Sequence, residues 1–86
     1  MDDVKAMIET LAEEKKRLDS ELDVALHTFA EYEEGMNVRW QTADPVERQA
    51  LMDERNRVEE ELGIVAMVVR LDEIREELDA LRPRVA

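Results

Sequence analysis

The chain has 86 residues, 23 acidic against 12 basic, for a formal net charge of −11, and no cysteine. That length holds one domain with a thin core, and the missing cysteines exclude disulfides and thiolate-bound zinc. The acidity argues against direct contact with nucleic acid or an anionic membrane, both of which select a basic footprint.

Glu, Leu, Ala, Arg and Asp dominate, while Gly and Pro occur only twice each. A chain poor in turn formers and rich in these residues reads as long helix or coiled coil. Disorder is the rival for so charged a chain, but 44% hydrophobic residues in register count against it. No apolar run is long enough to span a bilayer. The opening MDDVKAM lacks the basic and apolar regions of a secretion signal, so a cytoplasmic protein is expected.

A first helix is expected over about residues 3–41, starting near Asp2 or Asp3, whose charges suit a helix N-terminus. Gly35 is a candidate end. However, Glu31, Glu33 and Glu34 would then crowd the negative end of the helix dipole, so the helix is read as continuing through it. Val4, Ile8, Leu11, Lys15, Leu18, Leu22, Ala25, Phe29, Tyr32 and Met36 follow each other at three- and four-residue steps. That is heptad spacing over more than four repeats.

Residues 42–44 read as a turn. Asp44-Pro45-Val46-Glu47 is a helix start: Asp44 at the N-cap, Pro45 at the first helical position and Glu47 completing a capping-box pattern. The second helix is expected over about residues 45–82. Gly63 follows Glu59, Glu60 and Glu61, a poor C-terminus, so this helix too is read as continuous. Pro83 ends it.

Helix 2 repeats the heptad spacing in Leu51, Arg55, Val58, Leu62, Val65, Val69 and Asp72. Folding the chain about Ala43 and Asp44 sets the two series face to face. Met36 meets Leu51, Tyr32 meets Arg55, Phe29 meets Val58 and Ala25 meets Leu62. Leu22 meets Val65, Leu18 meets Val69 and Lys15 meets Asp72. The expected fold is therefore all-α, a single antiparallel two-helix coiled-coil hairpin.

Beyond Lys15 the match fails, because Leu11 and Ile8 fall opposite Glu76 and Asp79. Met67, Leu71, Ile74, Leu78 and Leu81 form a second stripe, rotated by roughly 160° from the first at about 100° per residue. The run Ile64–Val69 is apolar on all sides and is expected to be buried all round. A β-strand is the alternative for it, but the flanks are helical and no second strand is available to pair with it. A stripe without an intrachain partner predicts a homodimer, two hairpins joined as a four-helix bundle. Its interface would comprise Ile8, Leu11, Ile64, Met67, Val68, Leu71, Ile74, Leu78 and Leu81. Alternatives are a different protein on the stripe, or a kink near Arg70 that turns it back onto helix 1.

Asp23, His27 and Glu31 share one helix face at metal-ligand spacing, but they fall on the solvent side of the heptad and read as a polar face. No metal or cofactor is expected. The basic residues are scattered, and no phosphate loop or nucleophile set is visible, so an enzyme is not expected and a small helical enzyme ranks last. Trp40 and Val38, near the turn, are candidate contacts for a protein partner; Trp40 could equally close the end of the hairpin over Pro45 and Val46. The expected function is a non-catalytic, self-associating interaction protein with acidic faces. The alternative is an acidic mimic of nucleic acid that inhibits a nucleic-acid-binding protein.

Overall fold

The computed structural model describes residues 3–85. Those residues are all-helical, without a strand. In chain order they are α1 (Asp3–Thr42), α2 (Pro45–Leu62), α3 (Ile64–Leu81) and a 3-10 turn, Arg82–Arg84, around Pro83. The stretch 64–69 is therefore helix. Asp2, the other expected start of helix 1, lies outside the described residues. α1 runs unbroken through Gly35, as the dipole argument requires.

The turn is built as its sequence dictates. Asp44 adopts an extended backbone (φ −78°, ψ 173°), and its carboxylate accepts from the Glu47 N–H at 2.8 Å. Pro45, which has no N–H to satisfy, takes the first helical position. Such a cap is worth about 1 kcal/mol. On the other side of the turn, the Ala43 N–H donates to the Trp40 carbonyl at 3.3 Å and closes α1.

Gly63 departs from expectation. It takes the left-handed conformation (φ 71°, ψ 22°), and its N–H donates to the Glu60 carbonyl at 3.0 Å, so α2 ends there. The dipole penalty for Glu59–Glu61 is at most about 1 kcal/mol per exposed charge and is screened by salt. Against it stand Ile64, Leu71, Ile74, Leu78 and Leu81, all buried once the helix restarts in a new phase. Each is worth roughly 1.5–3 kcal/mol. Burial of five large side chains outweighs the dipole penalty. The inward position moves from Val65 to Ile64, and the stripe continues at three- and four-residue steps through α3.

This reverses several expectations. Val65 and Val69, assigned to the seam, are 59% and 50% exposed, and Val68 is exposed as well, so the run 64–69 is not buried all round. Lys15 pairs with Asp19 at 2.9 Å and Asp72 with Arg75 at 3.5 Å, not with each other. The break falls at Gly63 rather than near Arg70.

The chain divides into two compact units. The turn unit is Asp23–Val65. Its core contains Ala25, Phe29, Met36 and Leu51, with Val58 and Leu62 half-buried. Cross-helix contacts step down α1 as they step up α2: Arg48 Nε to the Trp40 carbonyl at 3.3 Å, Arg39 to Glu54 at 3.0 Å and Arg55 to Glu33 at 3.1 Å. The Arg55 guanidinium lies 5.0 Å from the centroid of Phe29, not over Tyr32 as the heptad pairing suggests. Tyr32 stacks beside Phe29 instead, with ring centroids 6.1 Å apart.

The terminal unit is Met1–Leu22 with Ala66–Ala86. Here Arg70 forks onto Glu14, Nε to Oε2 at 2.7 Å and Nη2 to Oε1 at 2.9 Å. Seven residues further along α3, Glu77 borders a depression with Ala6, Met7, Thr10 and Leu11, so the contacts step down α1 as they step up α3. The apolar positions of the unit include Val4, Leu11 and Leu18 on α1 and Met67, Ile74 and Leu81 on α3. All six are buried or half-buried. Ile74 is 0% exposed.

Candidate interaction surfaces

The residues expected at a dimer interface fall into two groups. Leu71, Ile74, Leu78, Leu81 and Ile64 are buried within the chain, and Ile8, Leu11 and Met67 are half-buried. Inside one chain the five buried residues have the cover that the dimer was expected to supply, while Ile8, Leu11 and Met67 have part of it. Leu11 does not simply face an acid. With Ala6, Met7, Thr10 and Glu77 it lines a shallow, mainly apolar depression. Val68 belongs to the second group: it is 42% exposed and, with Val69, lies on the outer face of α3.

At the turn, Val38 is 68% exposed, whereas Trp40 is half-buried with the Arg48 guanidinium 5.0 Å from its ring centroid. The Nε of Arg48 also binds the Trp40 carbonyl. This one arginine therefore covers the indole and satisfies a carbonyl in the last turn of α1. Val46 does not pack under the indole; it is 80% exposed.

Beside the turn lies an open groove of about 380 Å³ lined by Arg39, Thr42, Ala43, Glu47, Ala50, Leu51 and Glu54. Leu51 forms buried floor, with Ala43 half-buried and Ala50 exposed. Val38 stands one helical turn before Thr42, and Val46 one turn before Ala50, so each extends the apolar surface along its own helix. Arg39 is neutralised by Glu54. The sequence names Val38 as a contact, but nothing in its spacing reveals the groove, which exists only once α1 and α2 lie side by side.

The turn unit is the more acidic of the two, with eleven carboxylates against four arginines, a net charge of −7. Three of those arginines are engaged, Arg39 and Arg55 in ion pairs and Arg48 on Trp40. The Tyr32 hydroxyl is buried without a hydrogen-bond partner, and burial, then the nearby Glu54 carboxylate, pushes its pKa up. In the terminal unit the Arg70 hydrogen bond holds the Glu14 carboxyl below its ordinary value, and Glu14 with Glu73 raises that of Arg70.

Asp23, His27 and Glu31 are exposed and line a shallow surface with Val24 and Thr28. Among the described residues no group of three His, Cys, Asp or Glu side chains is placed to hold a metal ion. No described helix is long and apolar enough to cross a membrane. Comparison with protein-family models, curated proteins and solved structures found no match.

Proposed function

We propose that this chain is a non-catalytic interaction protein. In this reading it is an antiparallel coiled-coil hairpin that pairs with a second copy and presents an acidic, partly apolar turn end to another macromolecule. The observation that carries the reading is the placement of large apolar side chains in solvent, away from the covered stripes. Val68 and Val69 sit on the outer face of α3, and Val38 and Val46 flank the turn. Val68 and Val69 are adjacent on α3, and so form a small apolar patch rather than scattered single residues. The contacts within each unit, which run in opposite senses along the two helices, support the hairpin.

Self-association is assigned to Val68, the exposed member of the expected interface, with its exposed neighbour Val69, since the other members are buried or half-buried within the chain. A side-by-side dimer through α3 replaces the four-helix bundle that an uncovered stripe would have required. Sedimentation equilibrium at micromolar concentration tests it. The expected species is twice the 10.0 kDa chain mass, converting to monomer in Val68→Asp with Val69→Asp while helicity is retained. A wild-type chain that stays at 10.0 kDa removes self-association from the reading.

A further inference from the structure

The geometry points to the groove beside the turn as a docking site for a basic amphipathic helix of a protein partner, an assignment that rests on the interaction reading and names its partner. The groove has the section such a helix needs. Its apolar part is buried Leu51 flanked by the short side chains of half-buried Ala43 in the turn and exposed Ala50 on α2, so an incoming apolar residue can approach the backbone there. Exposed Val38 and Val46 continue that surface by one turn on each helix.

Charge selects the sign of the occupant. Glu47 forms no ion pair among the described residues, while Arg39, the one cation lining the groove, is spent on Glu54. Around the groove the unit carries −7, and three of its four arginines are occupied. A cationic segment would therefore meet one uncompensated carboxylate in the groove, Glu47, within a unit of net negative charge, and an acidic one would be repelled. The lining residues of α2, Glu47 to Glu54, span about two helical turns, roughly 11 Å at 1.5 Å per residue. That length accommodates one apolar anchor over Leu51 between the two alanines, with a Lys or Arg one turn away reaching Glu47. This is helix-in-groove recognition with a short footprint, so affinity is modest and depends on salt.

The probe is a synthetic amphipathic helix of about 18 residues of Leu and Lys, compared with a scrambled peptide of the same composition. Titrated into the isotope-labelled full chain, the amphipathic form should shift the backbone resonances of Arg39, Thr42, Ala43, Glu47, Ala50, Leu51 and Glu54. Ala50→Arg places a cation in the groove, whereas Asn56→Arg makes the same charge change at an exposed position of α2 outside it. Ala50→Arg should weaken binding about tenfold and Asn56→Arg by less than about twofold. Equal weakening by the two, shifts spread over both helices, or equal binding of the scrambled peptide would mean diffuse acidic attraction and overturn the site. So would an absence of shifts in the wild-type chain. If the peptide finds no groove but sedimentation still shows a dimer, the groove is lost and the interaction reading stands.

Discussion

Arg70 and Glu14 meet through two hydrogen bonds of 2.7 and 2.9 Å although 56 positions separate them in the chain. Two parallel N–H donors on one carboxylate fix orientation as well as distance, which a lysine cannot do. Exposed pairs such as Arg17–Glu21, at 3.9 Å, have neither the geometry nor the shielding. A double-mutant cycle on thermal stability should show coupling between Glu14 and Arg70 and none resolvable between Arg17 and Glu21. Arg70→Lys should lose part of the coupling. Zero coupling for Glu14–Arg70 would make the fork an ornament of the surface.

The same pair gives a pH dependence with a definite sign. Glu14 has its pKa lowered in the fold, so the unfolded chain binds the proton more tightly. The stability it supplies is fully present above its unfolded pKa and is lost as pH falls through the folded value. Wild type should therefore exceed Glu14→Gln in melting temperature at about pH 7, and the gap should close towards about pH 3. Subtracting the variant removes the common titration of the other carboxylates. A gap that widened in acid would contradict the assignment.

Ile74 and Val65 test the phase of α3 directly. Ile74 is fully covered, and Ile74→Ala should cost about 2–5 kcal/mol in urea unfolding followed by circular dichroism. Val65→Ala, at an exposed site, should stay within about 0.5 kcal/mol. A continuous second helix would exchange the two results.

The two glycines should respond in opposite directions. Gly35 lies inside α1 with open space where a Cβ would stand, so Gly35→Ala should stabilise by about 1 kcal/mol. Gly63 is held at φ 71°, and Gly63→Ala should destabilise by about 1–2 kcal/mol through the left-handed penalty alone. Equal effects in thermal melts would place Gly63 inside a regular helix.

Tyr32→Phe removes a buried hydroxyl that finds no partner. Leaving a buried polar group unsatisfied costs about 1–3 kcal/mol, so its removal should be neutral or stabilising. A clear loss in urea unfolding would show that the hydroxyl is bonded in solution.

The local grammar of the turn is readable because it is written in a few adjacent residues: Asp44 caps, Pro45 starts, and the apolar members of the α1 stripe come out buried or half-buried. Gly63 is not readable in the same way, because a local dipole cost there competes with a non-local gain. Only a helix lying alongside α3 makes Ile64, Leu71, Ile74, Leu78 and Leu81 worth re-phasing, and the sequence does not display that neighbour. The second stripe itself is visible in the spacing; its cover is not, and a stripe without visible cover points to a second chain. Val38 can be named from its place near the turn. The groove it borders cannot, since Arg39, Leu51 and Glu54 join only across two helices.

The two-residue turn capped by Asp44 also sets an order of events in time. Contacts in the turn unit link residues 8, 15 and 22 positions apart, whereas the Arg70–Glu14 contact closes a span of 56. Loop closure grows costlier with span, so pairing near the turn has the shorter search. Folding would then start at Asp44-Pro45 and proceed outward, with the Arg70 fork among the last contacts made. Substitutions at Phe29 or Leu51 would slow folding, while those at Ile74 or Leu78 would act mainly by hastening unfolding.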